Sequence, residues 1–94
     1  MSKEFKPHAQ VLARIAEVFS QNNSIKKTHL HSASRTDWNS FEKYLNWLQS
    51  KNYIEYLIDG EDHKYGLTSR GKEMINMILK LREHMIEYKS VLQS

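Results

Sequence analysis

The chain has 94 residues, 39% of them apolar and 27% charged, which is typical of one small globular domain and excludes a disordered tail. No apolar run approaches the roughly 20 residues needed to cross a membrane, and the N-terminus has no signal-peptide core, so we expect a cytoplasmic protein with no membrane partner. The absence of cysteine excludes disulfides and thiolate-based metal sites, and the net charge of +3 favours a polyanionic partner.

The first quarter of the chain predicts one amphipathic helix that ends near Gln21. Pro7 lies where a first helical turn tolerates proline, and apolar residues then recur at helical spacing. The apolar face consists of Val11, Leu12, Ile15, Val18 and Phe19. Residues 22–24 predict a loop in which Ser24 caps a short second helix, residues 25–30.

A polar turn at residues 32–36 leads into a longer third helix, residues 37–51. Asp37 suits the N-cap of this helix, and Asn52 suits the left-handed conformation that ends one. The predicted buried face consists of Phe41, Tyr44, Leu45 and Leu48. Trp38 and Trp47 fall at the edges of that face, where packing explains them better than base stacking.

Two short segments rich in β-forming residues follow, at residues 53–58 and 63–67. Residues 59–62 predict a hairpin connection of about four residues, with a two-residue register as the alternative. Thr68 then suits the N-cap of a final helix that continues almost to the end of the chain. Gly71 in its first turn predicts close packing against another backbone.

The final helix carries an unbroken heptad pattern of apolar residues. This seam consists of Met74, Ile78, Leu81, Met85, Tyr88 and Leu92, and Ile75, Leu79 and Ile86 form a second, adjacent stripe. A domain of this size has too little surface to cover both stripes along about 36 Å of helix. We therefore predict that the exposed half of the seam pairs with a second copy of the chain. The alternative is that the helix folds back on the first helix.

Helix, turn, helix and hairpin in this order form the architecture that places a helix in the DNA major groove. Residues 24–54 resemble the helix-turn-helix of small archaeal winged-helix regulators, which are similar to the coiled-coil dimeric chromatin proteins of crenarchaea. The matching residues are Lys27, Thr28 and Leu30, then Phe41, Tyr44, Leu45 and Leu48, then Ile54, and finally Tyr65, Leu67, Thr68 and Gly71.

The resemblance implies a mainly α (α+β) fold, a winged helix-turn-helix with a two-stranded wing and a long C-terminal coiled-coil helix. Residues 1–71 would form the winged domain, and residues 72–94 a dimerisation helix continuous with it. Such proteins are DNA-binding transcription regulators or chromatin components that dimerise through the last helix. We therefore expect either a site-specific repressor or a broadly acting chromatin component. The implied partners are double-stranded DNA and a second copy of the chain, paired antiparallel, and the implied location is the nucleoid.

The candidate DNA-binding residues are polar or basic and lie on the outer face of the third helix, around the turn, or on the wing. They are Lys26, Lys27, Arg35, Thr36, Asn39, Ser40, Lys43, Asn46 and Lys64. Asparagine can bond both N6 and N7 of adenine, and lysine can reach guanine acceptors or phosphate. The third helix is therefore the predicted major-groove reader. The alternative for its outer face is an ordinary solvated surface.

The wing departs from a simple DNA-binding pattern because its tip is acidic. Asp59, Glu61 and Asp62 lie in the predicted hairpin connection, and Glu55 precedes them on the incoming strand. Phosphates should repel this tip, so insertion of the wing into the minor groove is not expected. Lys64 is the wing residue that we expect to contact DNA, if the wing does so at all.

Other function classes have less support. His29 and His31 are two residues apart on a predicted helix and point about 200° away from each other, and no acid completes a zinc signature. No phosphate loop or nucleophile elbow is present in the sequence. We therefore expect no metal, no cofactor, no small-molecule ligand and no catalysis. The alternative function is a non-catalytic winged-helix adaptor that binds other proteins.

Overall fold

The structure is a computed structural model that describes residues 5–93, without the side chains of Asp59 and of residues 86–93. Within that range the elements are α1 (Ala9–Gln21), β1 (Ser24–Lys26), α2 (Lys27–Ser34), α3 (Trp38–Ser50), β2 (Ile54–Asp59), β3 (Asp62–Leu67) and α4 (Ser69–Gln93). The order of helix, turn, helix, hairpin and long helix that the sequence predicts is confirmed.

The second helix begins later than predicted, because Ser24–Lys26 form a strand. Ile25 lies opposite Tyr65 of β3, and both side chains are buried. Pairing with β3 satisfies the backbone groups of β1 and places a β-branched residue in the core, which outweighs a weak local preference for helix. Ser24 is therefore not a helix N-cap, and the extended residue Lys26 holds that position without a side-chain hydrogen bond. The sheet has three strands in the order β1-β3-β2.

The turn between α2 and α3 is shorter than predicted. Helix α2 continues to Ser34, whose side chain is fully buried and whose hydroxyl donates to the carbonyl of His31 at 2.7 Å. Arg35 then adopts a left-handed conformation, with φ at 55°, and its N–H donates to the carbonyl of Ser32. A residue in this conformation ends a helix abruptly, so only Arg35, Thr36 and Asp37 separate the two helices.

Helix α3 follows the sequence prediction closely. The Asp37 carboxylate caps it by accepting a hydrogen bond from the Ser40 N–H at 3.3 Å. Asn52 ends it in the left-handed region with φ at 61°. The residues of its inner face, Phe41, Tyr44, Leu45 and Leu48, are all buried. This burial fixes the orientation of the whole helix and leaves its opposite face to solvent.

Strands β2 and β3 form an antiparallel hairpin, which we call the wing. Asp59 pairs with Asp62, so the connection consists of Gly60 and Glu61 alone, the shorter of the two registers that the sequence allowed. Gly60 has φ at +63°, the left-handed conformation that a two-residue hairpin turn requires. The short turn places the acidic residues at the end of the wing.

Helix α4 is anchored at its first turn. The Thr68 hydroxyl accepts a hydrogen bond from the Gly71 N–H at 3.0 Å, which confirms Thr68 as the cap. A Cβ atom on Gly71 would lie 1.8 Å from the carbonyl oxygen of Tyr53, so the predicted close approach of two backbones is also confirmed. Ile75, only 3% exposed, continues this contact into the core.

The second half of α4 extends away from the core. Met74, Ile78 and Leu79 pack against the core and are partly buried, but Leu81 and Met85 are 61% and 55% exposed. An ion pair of 3.1 Å between Arg82 and Glu17 shows that α4 runs beside α1, without covering these two residues. The side chains of Ile86, Tyr88 and Leu92 lie outside the described residues. Within residues 5–93, no helix is long and apolar enough to cross a membrane.

Candidate nucleic-acid interface

The outer face of α3 presents two amides and one ammonium group. Asn39, Lys43 and Asn46 are exposed and fall within an arc of about 60° on the helix. None of their side chains forms a hydrogen bond or an ion pair with any other part of residues 5–93. Their hydrogen-bonding capacity is therefore available to a partner.

The two hydroxyl residues predicted beside this face are already engaged. Thr36 is hydrogen bonded to the buried Ser34 hydroxyl at 3.0 Å. Hydrogen bonds from the Ser40 side chain and from its backbone N–H hold the pKa of Asp37 below its ordinary value of 3.8. Thr36 and Ser40 thus help to build the turn and the helix cap, and a contact with another molecule would compete with these bonds.

Lys27, the first residue of α2, contacts α3, and its positive charge is partly neutralised there. Its ammonium group lies 2.7 Å from a carboxylate oxygen of Glu42 and 5.0 Å from the ring centroid of Trp38. Trp38 in turn packs edge-on against His31, with ring centroids 4.9 Å apart. Lys27 therefore connects the start of α2 to α3, and Trp38 packs within a cluster, as the sequence analysis favours.

Lys26 and Lys64 are neighbours on adjacent strands. They are directly opposite in the pairing of β1 with β3, which places two ammonium-bearing side chains on the same face of the sheet. The acidic wing supplies the counter-charge, because Asp62 lies 3.4 Å from the Lys26 ammonium group. The prediction that Lys26 lies on a helix was wrong. Lys26 lies on β1, and the pairing of β1 with β3 brings it next to Lys64.

The wing also carries an apolar patch that the sequence analysis did not identify. Tyr56 and Ile58 are 43% and 66% exposed on the same side of β2, although that side leads into the core at Ile54. The Tyr56 ring stacks on His63 at a centroid distance of 5.6 Å, and its hydroxyl is hydrogen bonded to His63 Nδ1. The alternation of Ile54, Tyr56 and Ile58 indicates that these residues share one face of β2. It does not indicate where along that face the core ends.

The five histidines lie on different parts of the fold, before α1, on α2, on β3 and on α4. Among the residues that the structure describes, no three histidine, aspartate or glutamate side chains converge. His31 is partly buried between Trp38 and Phe41, with its Nε2 atom lacking a hydrogen-bond partner in that part of the chain. His29, two residues earlier, is exposed.

A family model described as winged helix-turn-helix matches residues 8–86. The chain belongs to this family. The matched range begins just before α1 and ends within α4. It includes the outer face of α3, the wing and the first four residues of the predicted seam.

Known proteins are similar to this chain at low sequence identity. An uncharacterised protein of Methanocaldococcus jannaschii is 29% identical over 76 residues, which cover 81% of this chain and 73% of that protein. Sso10a-2, a DNA-binding protein from Sulfolobus solfataricus, superposes with a TM-score of 0.64 at 16% identity and covers 94% of both chains. A MarR family transcriptional regulator from Silicibacter pomeroyi gives 0.71 at 15% identity.

The MarR family regulator is the longer protein of that pair. The match covers 90% of this chain and only 62% of the regulator, so this chain spans less than two thirds of its length. At such low identities the two solved structures show that the winged helix fold is shared. The function of this chain has to be argued from its own surfaces.

Proposed function

We propose that this winged helix protein is a homodimeric DNA-binding protein, a transcription regulator of the repressor type or a chromatin component, and not an enzyme. The observation that carries the proposal is the outer face of α3. Three of its exposed side chains, Asn39, Lys43 and Asn46, are without partners in residues 5–93. Sso10a-2, which has the same fold, is described as a DNA-binding protein.

Helix α3 enters the major groove in this proposal. Asn39 and Asn46 can each bond N6 and N7 of an adenine, and Lys43 can reach guanine acceptors or a phosphate. The buried opposite face holds α3 rigidly, so its side chains approach the bases in one orientation.

Phosphate contacts come from the basic residues around α3. Arg35 at the turn and Lys26 on β1 are exposed and can position the domain on the duplex. Lys27 can join them only by sharing its charge with Glu42. Thr36 and Ser40 make weaker contacts, since their hydroxyls already serve the turn and the cap.

The wing remains outside the minor groove. Glu61 at its tip is exposed, and phosphates repel a carboxylate. Lys64, in the middle of the wing, is the residue there that contacts DNA, with Lys26 beside it. Removal of the negative charge at the tip should therefore not weaken binding.

The C-terminal helices pair to form the dimer. The predicted seam runs along α4, and among its members with described side chains Leu81 and Met85 are the most exposed. A second copy covers them, with Met74, Ile78, Tyr88 and Leu92 completing the interface. Residues 72–94 thus act as the dimerisation helix, residues 1–71 as the winged domain, and two α3 helices face two half-sites. Such a protein would reside on the nucleoid in the cytoplasm.

A titration against mixed-sequence duplex DNA at two salt concentrations tests the proposal. Neutralisation of phosphates releases counterions, so the observed affinity should fall steeply between about 50 and 200 mM salt. Sedimentation of the free protein at the same concentrations reports its oligomeric state. Binding that is absent at low salt, or that does not respond to salt, would refute the DNA-binding function.

A protein-binding adaptor is the second candidate function. The exposed Tyr56 and Ile58, close to the acidic wing tip, form the surface that favours it. An adaptor needs no phosphate contacts, so it would show no salt-dependent affinity for a duplex. The same titration therefore separates the two functions.

A further inference from the structure

A pocket of about 340 Å³ lies where α1, the end of α2 and α4 meet, and no residue of α3 lines it. Three arginines surround it, Arg14 from α1, Arg35 from the turn after α2, and Arg82 from α4. One carboxylate, that of Glu17, and the apolar side chains of Val18 and Ala33 share the lining. Among the side chains that the structure describes, three positive charges and one negative charge line the pocket, which gives a net charge of +2.

The three guanidinium groups differ in how firmly they are held. Arg14 donates from Nη1 to the carbonyl of Ser34 at 3.3 Å, which ties it to the end of α2. Arg82 donates to Glu17 at 3.1 Å. Arg35 has no side-chain partner within residues 5–93. Each guanidinium carries five N–H donors, so most donors around the pocket remain free for a ligand.

We propose that this pocket binds a small, multiply charged phosphate compound. Guanidinium groups pair with phosphate and carboxylate oxygens in a planar, two-point arrangement, and a single phosphate group carries up to about two negative charges, which matches the charge of this lining. The volume is within the range of small-molecule sites, about 300–1,000 Å³, and exceeds what one phosphate group needs. The ligand is therefore a compound with two phosphate groups, or with one phosphate and a small organic body packed on Val18 and Ala33.

A free phosphate compound fits this pocket better than the DNA backbone does. The three arginines line one pocket from α1, the turn after α2 and α4, whereas backbone phosphates follow one another along a groove. Arg82 lies on the long helix, and none of the candidate base-reading residues lines the pocket. The two sources of phosphate are separable by experiment, because only a free compound binds in the absence of DNA.

Arg35 gives the pocket a regulatory consequence, which rests on the proposed DNA-binding function. The same guanidinium is the proposed phosphate contact at the turn between α2 and α3, and it cannot serve the pocket and the duplex at once. A bound phosphate compound draws Arg35 toward Arg82 and away from DNA. The ligand therefore lowers the affinity for DNA.

Calorimetric titration of the full chain with pyrophosphate, at constant ionic strength and without DNA, tests the binding itself. We expect saturation at one pyrophosphate per chain. Arg35→Gln and Arg82→Gln should each weaken it about tenfold or more, the effect of losing a charged hydrogen-bonding partner. Lys80→Gln removes the same charge from an exposed position on α4 outside the pocket, and should change the affinity less than about twofold.

Glu17→Gln provides a test in the opposite direction. Loss of the one carboxylate raises the pocket charge, so pyrophosphate should bind more tightly, whereas damage to the fold would weaken it. Melting curves of all four variants verify that they are folded. Non-saturable binding, or equal affinities for Arg82→Gln and Lys80→Gln, would overturn the proposal.

A DNA titration with and without pyrophosphate tests the coupling. At constant ionic strength, pyrophosphate should weaken DNA binding by the wild type, and Arg82→Gln should need about tenfold more pyrophosphate for the same effect, since that variant keeps Arg35 but binds the ligand more weakly. If pyrophosphate does not bind and Arg82→Gln weakens DNA binding instead, the pocket receives the DNA backbone and the small-ligand proposal fails. Pyrophosphate binding by a chain that does not bind DNA would support the pocket and refute the proposed function.

Discussion

Helices α3 and α4 are built alike and face solvent with opposite chemistry. Each buries one stripe in the same core, Phe41 and Leu45 on α3, and Ile75 on α4. On the outside, α3 presents amides and an ammonium group, whereas α4 presents Leu81 and Met85. The inner stripes therefore determine the fold, and the outer faces determine what each helix can bind. An amide-rich face suits base edges and phosphates, and an exposed apolar face suits another apolar surface.

The contact that anchors α4 to the core should give the largest effect when it is changed. In Gly71→Ala, the new methyl group would lie 1.8 Å from the Tyr53 carbonyl oxygen, and backbone on both sides prevents either group from rotating away. The start of α4 must shift, which also disturbs the hydrogen bond from Gly71 to Thr68. We expect a loss of about 3 kcal/mol or more in the free energy of unfolding, measured by denaturant titration.

Gly66→Ala is the matched control for this experiment. Its added methyl group would meet Cδ1 of Leu57 at 2.8 Å, but that atom ends a flexible side chain on the surface of the wing. We expect a cost below about 1 kcal/mol. If Gly71→Ala also lowered the free energy of unfolding by less than about 1 kcal/mol, the contact at Gly71 would not anchor α4 firmly to the core.

A charge placed in the exposed part of the seam on α4 should dissociate the dimer without unfolding the domain. Leu81→Lys places an ammonium group in the proposed interface, where burial without a partner is costly, so dissociation should become about 100-fold easier or more. Asn76→Lys adds the same charge at an exposed position about 140° around the helix and should leave the dimer intact. Sedimentation velocity measures both. A wild-type chain that is monomeric at tens of micromolar would contradict the proposed interface.

The elements with local signals were predictable from the sequence, and those made by distant residues were not. Asp37, Asn52 and Thr68 each adopt the expected role because helix caps depend on a few neighbouring residues. Glycine at position 71 indicated a close approach, but not that its partner would be the distant Tyr53. Strand β1 is only three residues long and exists through its pairing with β3, about forty residues later. A periodicity analysis cannot detect such a strand.

The candidate site shows the same limit. The pattern of α3 predicted which of its residues face outward, because a helix has a fixed angular period. It could not predict that Glu42 neutralises Lys27 or that Asp62 reaches Lys26, since both pairs join elements separated in sequence. The charge available to a partner therefore differs from the number of lysines counted along the chain.

Alanine substitutions on the outer face of α3 should affect DNA binding without affecting the dimer. Asn39→Ala should cost about 1–3 kcal/mol at a cognate adenine and relax the preference there. Lys43→Ala, if the ammonium group contacts phosphate, should weaken binding to all sequences alike and lower the salt slope by about one. Sedimentation and melting curves control for losses of folding. If both variants bound like the wild type while Lys64→Ala abolished binding, the wing and not α3 would read DNA.

The smallest effects should come from the acidic wing, where two carboxylates of equal charge differ in their partners. Glu61 makes no ion pair within residues 5–93, whereas Asp62 lies 3.4 Å from the Lys26 ammonium group. Glu61→Gln removes one exposed, salt-screened charge and should change the DNA affinity by less than about 0.5 kcal/mol, toward tighter binding. Asp62→Asn also releases Lys26, and should tighten binding by up to about 1 kcal/mol and steepen the salt dependence. Fluorescence titrations of both variants at two salt concentrations measure the difference. Weaker binding by Glu61→Gln would show that the acidic tip contacts a basic partner, the result expected of an adaptor.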